Sequence, residues 1–331
     1  MRAGADSPAQ RADLGEVLRR MGLDLGPFEA QRLTGGVSSD IWLIRGEGAE
    51  VVLKRPLERL RVAADWHVST ERGDSEAAWL AFAGQALPGS CPQVLGFDAQ
   101  EHAIALEYLA PGEYSNWKAD LLAGHVDQSV ARDVGRSLGR IHAVSARTPG
   151  LAEQFDRYQL FESLRVEPYL RRTAQRLAQV SDELLALAED LRAHRSVLVH
   201  GDVSPKNILC GSAPVFLDAE CATWADPAFD LAFCTTHLLL KQVHLPEHAA
   251  DLRRASLGLA SAYLAQVDWE DSEDLRRRAA RLTPALMLAR VVGASPVEYL
   301  TPRQAEYVVQ VATSAIRQGS AVEDVLAGSG R

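Results

Sequence analysis

The sequence has little of what marks several large classes of protein. It contains only four cysteines in 331 residues and no C-x-x-C pair, so neither a disulfide framework nor a zinc ribbon is expected. No apolar run approaches the ~20 residues that a membrane-spanning helix needs. The first ten residues, MRAGADSPAQ, lack the apolar core of a signal peptide. These absences predict a cytoplasmic protein without a membrane partner.

Positive charge is also scarce. The chain has 35 lysine and arginine residues against 44 aspartate and glutamate residues, and its net charge is -9. A chain this acidic is not expected to bind nucleic acid. Lysine is especially rare, because only Lys54, Lys118, Lys206 and Lys241 occur, so a lysine inside a motif is informative. Apolar residues make up 47% of the chain, which is typical of a soluble globular protein, and the length favours two lobes.

One stretch, residues 197–220, contains most of the chemistry: VLVHGDVSPKNILCGSAPVFLDAE. Its three short apolar runs are separated by turn residues, a pattern that predicts strands joined by loops. The polar side chains therefore fall on loops at strand ends, where functional sites are usually built. The order H-x-D, four residues and N, formed by His200, Asp202 and Asn207, is typical of a phosphotransferase catalytic loop. Asp218 ends the next predicted hairpin.

Each of these residue types has a chemical role in that pattern. Asp202 would accept or orient the proton of an acceptor hydroxyl group, while Asn207 and Asp218 would hold Mg²⁺. Mg²⁺ prefers hard oxygen ligands, so an amide, one or two carboxylates and the phosphates of ATP are sufficient. Asp and Asn also cap turns frequently, which is the alternative explanation for each residue taken singly.

A small-residue turn and a lysine precede this stretch. The turn around Gly35, Gly36 and Ser38 lies between apolar segments and would let backbone N–H groups approach phosphates closely. Lys54 ends the next apolar strand, where a partner of the ATP α- and β-phosphates is expected. Glu76 lies in the first turn of the following helix and would pair with Lys54. The alternatives are an ordinary hairpin turn, an exposed lysine and a carboxylate that favours the helix N-terminus.

The remaining pattern predicts the architecture. Strands are predicted over 93–97 and 103–109, and a Pro-Gly break follows the second one. Backbone groups near Glu107 to Leu109 would contact the edge of the adenine base. The chain after this hinge is mostly helical, with helices predicted over residues 126–145, 155–175, 180–194, 226–243, 247–266, 271–292 and 302–318. The sequence therefore predicts an α+β fold with two lobes. A nucleotide-binding lobe with a small antiparallel sheet spans residues 1–109, and a helical catalytic and acceptor-binding lobe spans 110–331.

The helical lobe contains further candidates. Asp230 lies among apolar residues in an early helical turn, and a buried aspartate should be hydrogen-bonded. We expect it to brace the backbone of the Asp202 loop, which is a supporting role. Trp117, Trp224 and His237 are the candidates for the acceptor pocket, although an aromatic residue of the core is the alternative for each tryptophan.

In content and order, these segments resemble the aminoglycoside phosphotransferase / choline kinase family, a branch of the protein-kinase-like fold. The resemblance covers residues 28–240 and is most specific in HGDVSPKN, VFLDAE and DPAFDLA. It implies Asp202 as catalytic acid or base, Asn207 and Asp218 as Mg²⁺ ligands, and Lys54 and Glu76 as the phosphate-positioning pair. It also supports the bracing role of Asp230, and His200 is a further supporting candidate. The hairpin departs from the family by having Ser38-Ser39-Asp40 in place of its common Asn. Glu220 would lie close to the metal or the acceptor.

A narrower likeness joins the chain to 5-methylthioribose kinases. It consists of residues that recur in the same order with close spacing: Lys54, Leu57, Arg61, Trp66, Arg72 and Glu76. The chain departs from those enzymes in HGDVSPKN, where Asn207 restores the general family pattern. Relatedness to such sugar kinases is therefore expected, but identity of substrate is not. The sequence leaves open whether Arg61 and Arg72 contact a ligand or are solvated.

The predicted function is transfer of the ATP γ-phosphoryl group to a hydroxyl group of a small molecule, with ATP and Mg²⁺ as the cofactors. The acceptor would be a sugar, a polyol or an amino alcohol. An aminoglycoside-type antibiotic kinase is the first alternative. A non-catalytic kinase-like binding module, or an enzyme that modifies a protein, is an alternative of another class. Nothing in the sequence determines the oligomeric state.

Overall fold

The computed structural model describes residues 8–33, 38–59, 61, 67–321 and 326. Backbone contacts divide the chain into two compact units. The first consists of Met1–Tyr114 and Asp218–Glu220, and the second of Ser115–Leu217 and Cys221–Arg331. The lobe boundary predicted between residues 109 and 110 stays a prediction. None of the described helices is long and apolar enough to cross a membrane.

The first unit is built on an antiparallel sheet of five strands in the order β1-β2-β3-β5-β4. Its elements are α1 (Pro8–Arg20), β1 (Glu29–Leu33), β2 (Ser39–Gly46), β3 (Ala49–Pro56), α2 (Arg72–Ala86), β4 (Val94–Asp98) and β5 (Ala103–Glu107). Alternate residues of β3, Val51 and Leu53, are buried, as expected for a strand with one face in the core. They pack with Leu14, Val17 and Leu18, which form one stripe of α1.

The second unit is mainly helical. Its helices are α3 (Trp117–Leu122), α4 (Gln128–Arg147), α5 (Leu151–Gln154), α6 (Tyr158–Phe161), α7 (Arg172–Arg176), α8 (Ser181–Ala193), α9 (Ala228–His244), α10 (Ala249–Leu264), α11 (Ser272–Val292) and α12 (Pro302–Gln318). Three 3₁₀ turns cover Ala178–Val180, Pro205–Asn207 and Pro246–His248. Helix α9 is buried from Ala228 to Lys241 and packs against α10 and α11. It is therefore the central helix of this unit.

Two small sheets hold the loops of residues 197–217 in the second unit. Strand β7 (Val197–Val199) pairs with β10 (Thr223–Ala225), and β8 (Ile208–Cys210) pairs with β6 (Ser115–Asn116) and β9 (Pro214–Phe216). Residues 200–207 thus connect two strands that belong to different sheets. Both ends of this loop are fixed by backbone pairing.

One predicted helix has a different geometry. The segment predicted as a continuous helix over 155–175 consists of α6, a π-helix over Glu162–Arg171, and α7. Pro168 lies inside the π-helix. Proline lacks the N–H group needed for the bond to residue i−4, and its ring clashes with that carbonyl, so a regular α-helix is not favoured there.

Candidate active site

The first unit contains a buried lysine surrounded by carboxylates. Lys54, on β3, is 6% exposed, and its Nζ lies 2.6 Å from Oε2 of Glu76 on α2. The same Nζ forms an ion pair with Asp218, which is the first residue of the short segment that joins this unit. A buried ammonium group requires such partners, because its desolvation is costly.

The pKa values of this cluster reflect its crowding by negative charge. Burial would lower the pKa of Lys54, but Asp218, Glu76 and Glu220 together hold it above its usual value, so the ammonium group stays charged. Burial raises the pKa of Glu76, and it raises that of Glu220, with Asp218 adding to both shifts. Two buried cations, Lys54 and Arg72, therefore face three carboxylates. This excess of negative charge favours a further cation beside them.

Arg72 organises the backbone around this cluster. Its guanidinium group is fully buried; Nε donates to Oε2 of Glu220 at 3.1 Å, and Nη2 donates to the carbonyl oxygens of Ser38 at 2.6 Å and Leu57 at 2.5 Å. The hydroxyl group of Ser38 also donates to Glu220. Arg72 is thus not solvated but connects the backbone of Ser38 to Glu220 of the acidic segment Asp218–Glu220. Arg61, by contrast, is 41% exposed and pairs with Asp40.

Asp218 has an unusual backbone conformation, with φ at +69°. Aspartate tolerates this left-handed region better than most residues, but the conformation still costs free energy. Strained backbone positions tend to occur at functional sites, where the surrounding structure maintains them. The preceding residue, Leu217, is fixed by a backbone hydrogen bond from its N–H group to the carbonyl of Asn207 at 2.8 Å.

The second unit contains the loop with Asp202. The Oδ2 atom of Asp202 accepts a hydrogen bond from Nδ2 of Asn207 at 2.8 Å. It also lies 3.1 Å from Nη2 of Arg165 and 3.1 Å from Nζ of Lys206. The Nε atom of Arg165 donates to the carbonyl of Gly201 at 2.6 Å. Asp202 is 3% exposed, so these contacts fix the carboxylate in one position as a negatively charged group.

Asp230 holds the backbone of the same loop. Its Oδ2 accepts from the N–H group of His200 at 2.7 Å, and its Oδ1 accepts from that of Gly201 at 2.9 Å. The Nε2 atom of His142, on α4, lies 3.3 Å from Oδ2. All three side-chain and backbone partners are buried, so the aspartate satisfies donors that have no access to water. The loop conformation therefore depends on α9.

His200 and Gly201 fit this conformation for different reasons. Nδ1 of His200 accepts from the N–H group of Asp202 at 3.2 Å, so its Nε2 carries the proton and donates to the carbonyl of Leu217 at 3.1 Å. Gly201 has φ at +78°, and a Cβ atom there would lie 2.7 Å from the carbonyl oxygen of Cys221. Only glycine avoids both the strain and the clash.

We expect Asp230→Asn to weaken both folding and catalysis. The amide would direct an N–H group at one of two buried backbone N–H groups, which should lower the free energy of unfolding by about 1–3 kcal/mol. It should also lower kcat more than it changes the KM for ATP, because the Asp202 loop is displaced. Urea unfolding and steady-state kinetics test this, with the exposed Asp251→Asn as the control. Unchanged kcat in a less stable Asp230→Asn variant would restrict Asp230 to a folding role.

Asn207 offers an oxygen atom of the kind that Mg²⁺ prefers. Its Nδ2 is directed at Asp202, and in the described part of the chain its Oδ1 accepts no hydrogen bond, so this oxygen is available to a cation. The predicted role of Asp218 as a second ligand stays a prediction. Within the described ranges, no three His, Cys, Asp or Glu side chains are grouped as a metal site. A hard cation held here would therefore need oxygen atoms from a ligand such as a nucleotide phosphate.

Other predicted nucleotide contacts lie in the first unit. The N–H group of Glu107 donates to the carbonyl of Gln93 at 3.0 Å, whereas that of Leu109 has no protein acceptor among the described residues. Leu109 can therefore offer a donor to a ligand. Gly35 and Gly36 lie outside the described residues.

The predicted acceptor residues have different environments. Trp117 is 2% exposed, within the core. Trp224 is half-buried; its Nε1 donates to the carbonyl of Arg195 at 3.1 Å. His237 is 6% exposed on α9, and its ring centroid lies 5.1 Å from that of Phe233. Their roles in acceptor binding stay predictions. Sequence reasoning missed Arg165 and His142, since no motif marks either residue and their contacts with the loop are long-range.

The sequence from residue 29 to 264 matches the model of the phosphotransferase enzyme family, APH. The chain belongs to this family. The match covers more than two thirds of the 331 residues. Membership confirms the resemblance inferred from the motifs and the prediction that the chain is an enzyme, a small-molecule kinase. No curated protein matches the sequence significantly.

Solved structures share the fold at low identity. A gentamicin complex of APH(2")-IIa is 14% identical with a TM-score of 0.52, covering 97% of this chain and 99% of its own. A choline/ethanolamine kinase family protein from Mesorhizobium loti is 17% identical with a TM-score of 0.50, covering 95% and 97%. Spectinomycin phosphotransferase APH(9)-Ia, solved with ADP and spectinomycin, is 13% identical with a TM-score of 0.50, covering 96% and 98%. The predicted kinase-like fold is thereby confirmed.

Proposed function

We propose that this phosphotransferase moves the γ-phosphoryl group of ATP to a hydroxyl group of a small molecule. The observation that carries the proposal is the fixed pair of Asp202 and Asn207. Asp202 presents a charged, immobilised carboxylate, and Asn207 presents an amide oxygen that accepts no hydrogen bond from the described residues. A base and a metal ligand on one rigid loop are what phosphoryl transfer requires.

The other residues take roles that follow from their charges. Lys54 binds the α- and β-phosphates and is held in place by Glu76, whose ion pair with it is buried. Asp202 orients the attacking hydroxyl group and accepts its proton. Asn207 and Asp218 hold Mg²⁺, which offsets charge on the β- and γ-phosphates. Most of the rate enhancement then comes from positioning and from charge stabilisation. The ADP in the spectinomycin phosphotransferase structure supports the choice of ATP as donor.

The acceptor class is the finer part of the proposal. A sugar, a polyol or an amino alcohol fits the likeness to 5-methylthioribose kinases. The gentamicin and spectinomycin complexes of proteins with the same fold support the alternative of an aminoglycoside-type kinase. A non-catalytic binding module is disfavoured because Lys54, Asp202, Asn207 and Asp218 are all retained.

An ATP-consumption screen tests the proposal. Purified enzyme with Mg²⁺ and ATP should release ADP in the presence of one class among sugars, polyols, amino alcohols and aminoglycosides, with phosphate recovered on the acceptor. The Asp202→Ala variant is the matched negative control. Labelling of a protein in place of every small acceptor would instead support the protein-modifying alternative.

A further inference from the structure

A cluster of positive charge lies beside the Asp202 loop in this acidic protein. The structure brings together five basic side chains from five separate segments: Lys118 on α3, Arg165 on the π-helix, Lys206 in the Asp202 loop, Lys241 on α9 and Arg290 on α11. We call this set the basic cluster. It contains three of the four lysines in the chain. Asp202 and Glu298 are carboxylates in contact with it.

Lys241 is the least exposed member of the cluster. It is 1% exposed; its Nζ lies 3.4 Å from the carbonyl of His237 and 5.1 Å from the ring centroid of Tyr299. Among the described residues no carboxylate forms an ion pair with it. Burial, reinforced by Lys118 and Arg290, lowers the pKa of Lys241 to about 7. An unpaired buried ammonium group is costly to a fold and is seldom retained without a use.

Arg290 is the second base without a carboxylate in the described part of the chain. Its Nη1 donates to the carbonyl of Ser295 and to Oγ of the same residue at 2.8 Å, and it lies 3.4 Å from the hydroxyl oxygen of Tyr169. Its Nε has no acceptor among the described residues. Lys118 pairs with Glu298, whose side chain is 66% exposed. The cluster therefore combines bases that are at least partly exposed and paired with carboxylates, Lys118 and Lys206, with the fully buried Lys241, which has no ion pair among the described residues.

His237 lies among these charges. Burial is the main cause that lowers its pKa far below the usual value, and Arg290, Lys241, Lys206 and Lys118 each lower it further. Its imidazole ring is therefore neutral and can donate or accept a hydrogen bond. Among the described residues neither ring nitrogen has a protein partner. A ligand that reaches Lys241 would meet this ring.

A series of contacts through Phe233 connects the basic cluster to Asp202. Arg165, which contacts Asp202, lies with its guanidinium carbon 5.9 Å from the ring centroid of Phe233. Phe233 contacts His237 one turn further along α9, and Lys241 follows after another turn. The basic cluster is therefore on the same side of α9 as the carboxylate that orients the acceptor.

We propose that the acceptor is an anion, a hydroxyl-bearing small molecule with a carboxylate or phosphate group that Lys241, Arg290 and His237 bind. This proposal rests on the proposed phosphotransfer function and specifies its substrate. Binding of the anion supplies a counterion for Lys241 and Arg290. Without the anion, the low exposure of these bases to water is unfavourable. With the anion bound, the same low exposure strengthens its attraction to the bases. Cationic acceptors such as aminoglycosides or choline would be repelled by the same charges.

Acceptor selectivity gives the first test. ADP release is measured with D-gluconate and D-glycerate as carboxylates, glucose 6-phosphate as a phosphate ester, D-glucose and D-ribose as neutral sugars, and glucosamine and choline as cations. We expect kcat/KM to be highest either for a carboxylate acceptor or for the phosphate ester. The class with the higher kcat/KM identifies the anionic group that the enzyme binds. Higher kcat/KM for a neutral or cationic acceptor would overturn the anionic acceptor but leave phosphotransfer intact. Failure of every acceptor would overturn both.

Lys241→Met gives the second test, because methionine fits the volume and removes the charge. With the best anionic acceptor its KM should rise about 10- to 100-fold, while the KM for ATP changes little. Selectivity for that acceptor over its neutral analogue should fall by the same factor. Arg254→Met, which removes the same charge from the exposed face of α10, is the matched control and should leave all constants unchanged.

A structural role for Lys241 predicts a different result. Lys241 lies in the last turn of α9, where a cation can stabilise the helix. If this were its only role, Lys241→Met would lower the unfolding temperature and leave acceptor selectivity unchanged, and that outcome would overturn the proposal. His237→Gln, which keeps a hydrogen-bonding side chain, should raise the KM for the anionic acceptor less than Lys241→Met does.

Discussion

Replacement of Asp202 by alanine is expected to lower kcat by about 10²- to 10⁴-fold, because the acceptor hydroxyl group loses the carboxylate that orients it and accepts its proton. The KM for ATP should change little, since Lys54 and Asp218 are untouched. Steady-state kinetics on the best acceptor of the screen would measure both constants.

In the Asp202→Ala variant, the effect on catalysis must be distinguished from the effects on folding and on the local charge balance. Asp202→Ala leaves Arg165 and Lys206 without the carboxylate that they contact. Asp202→Asn keeps the shape and one hydrogen-bond acceptor but cannot take up the proton, so it should be nearly as inactive and should fold more stably. Near-normal turnover in Asp202→Asn would exclude the assigned role.

Lys54→Met has the second large expected effect. Without the ammonium group the kcat/KM for ATP should fall by about 10²- to 10³-fold, a loss comparable to that of one strong electrostatic contact in a transition state. The variant should also lose about 3–5 kcal/mol of unfolding free energy, because Glu76 remains buried without its cation and the partly exposed Asp218 loses the same partner. Nucleotide kinetics and denaturant unfolding measure the two losses independently.

The double variant Lys54→Met/Glu76→Gln separates the loss of ATP use from the loss of unfolding free energy. Neutralising Glu76 removes the buried unpaired charge, so most of the stability should return. The kcat/KM for ATP should stay low, because no cation is left to contact the phosphates. Recovery of ATP use along with stability would show that Lys54 serves folding and not the nucleotide. The exposed pair in Arg254→Met/Asp251→Asn provides a control with the same change in charges.

Local patterns predicted much of the fold. The helices predicted over 226–243, 271–292 and 302–318 correspond to α9, α11 and α12, because long helical segments are marked by local sequence pattern. The order and spacing of Asp202, Asn207 and Asp218 indicated a phosphotransferase because that chemistry needs particular residue types at short separations along one loop and one hairpin. Short-range order of this kind is visible in a sequence.

Long-range contacts could not be predicted from the sequence. Arg165 contacts Asp202 from a segment 37 residues earlier, and its side chain is placed by a π-helix that the helical period could not indicate. The basic cluster is assembled from five segments whose charges are each unremarkable in sequence. Similarly, the burial of Arg72 depends on carbonyl groups at Ser38 and Leu57 that no pattern relates to it. Tertiary packing determines these features.

The position of the acidic segment Asp218–Glu220 limits how the chain can be divided into fragments. It lies over 100 residues beyond Tyr114 in sequence, yet it belongs with the first unit, where it contributes the counterions of Lys54 and Arg72. A gene fragment that stops at Tyr114 would encode both bases without these two carboxylates. The first unit is thus not a portable module. Any split or chimaeric version of the enzyme must carry the hairpin that supplies Asp218 and Glu220, or replace its charges.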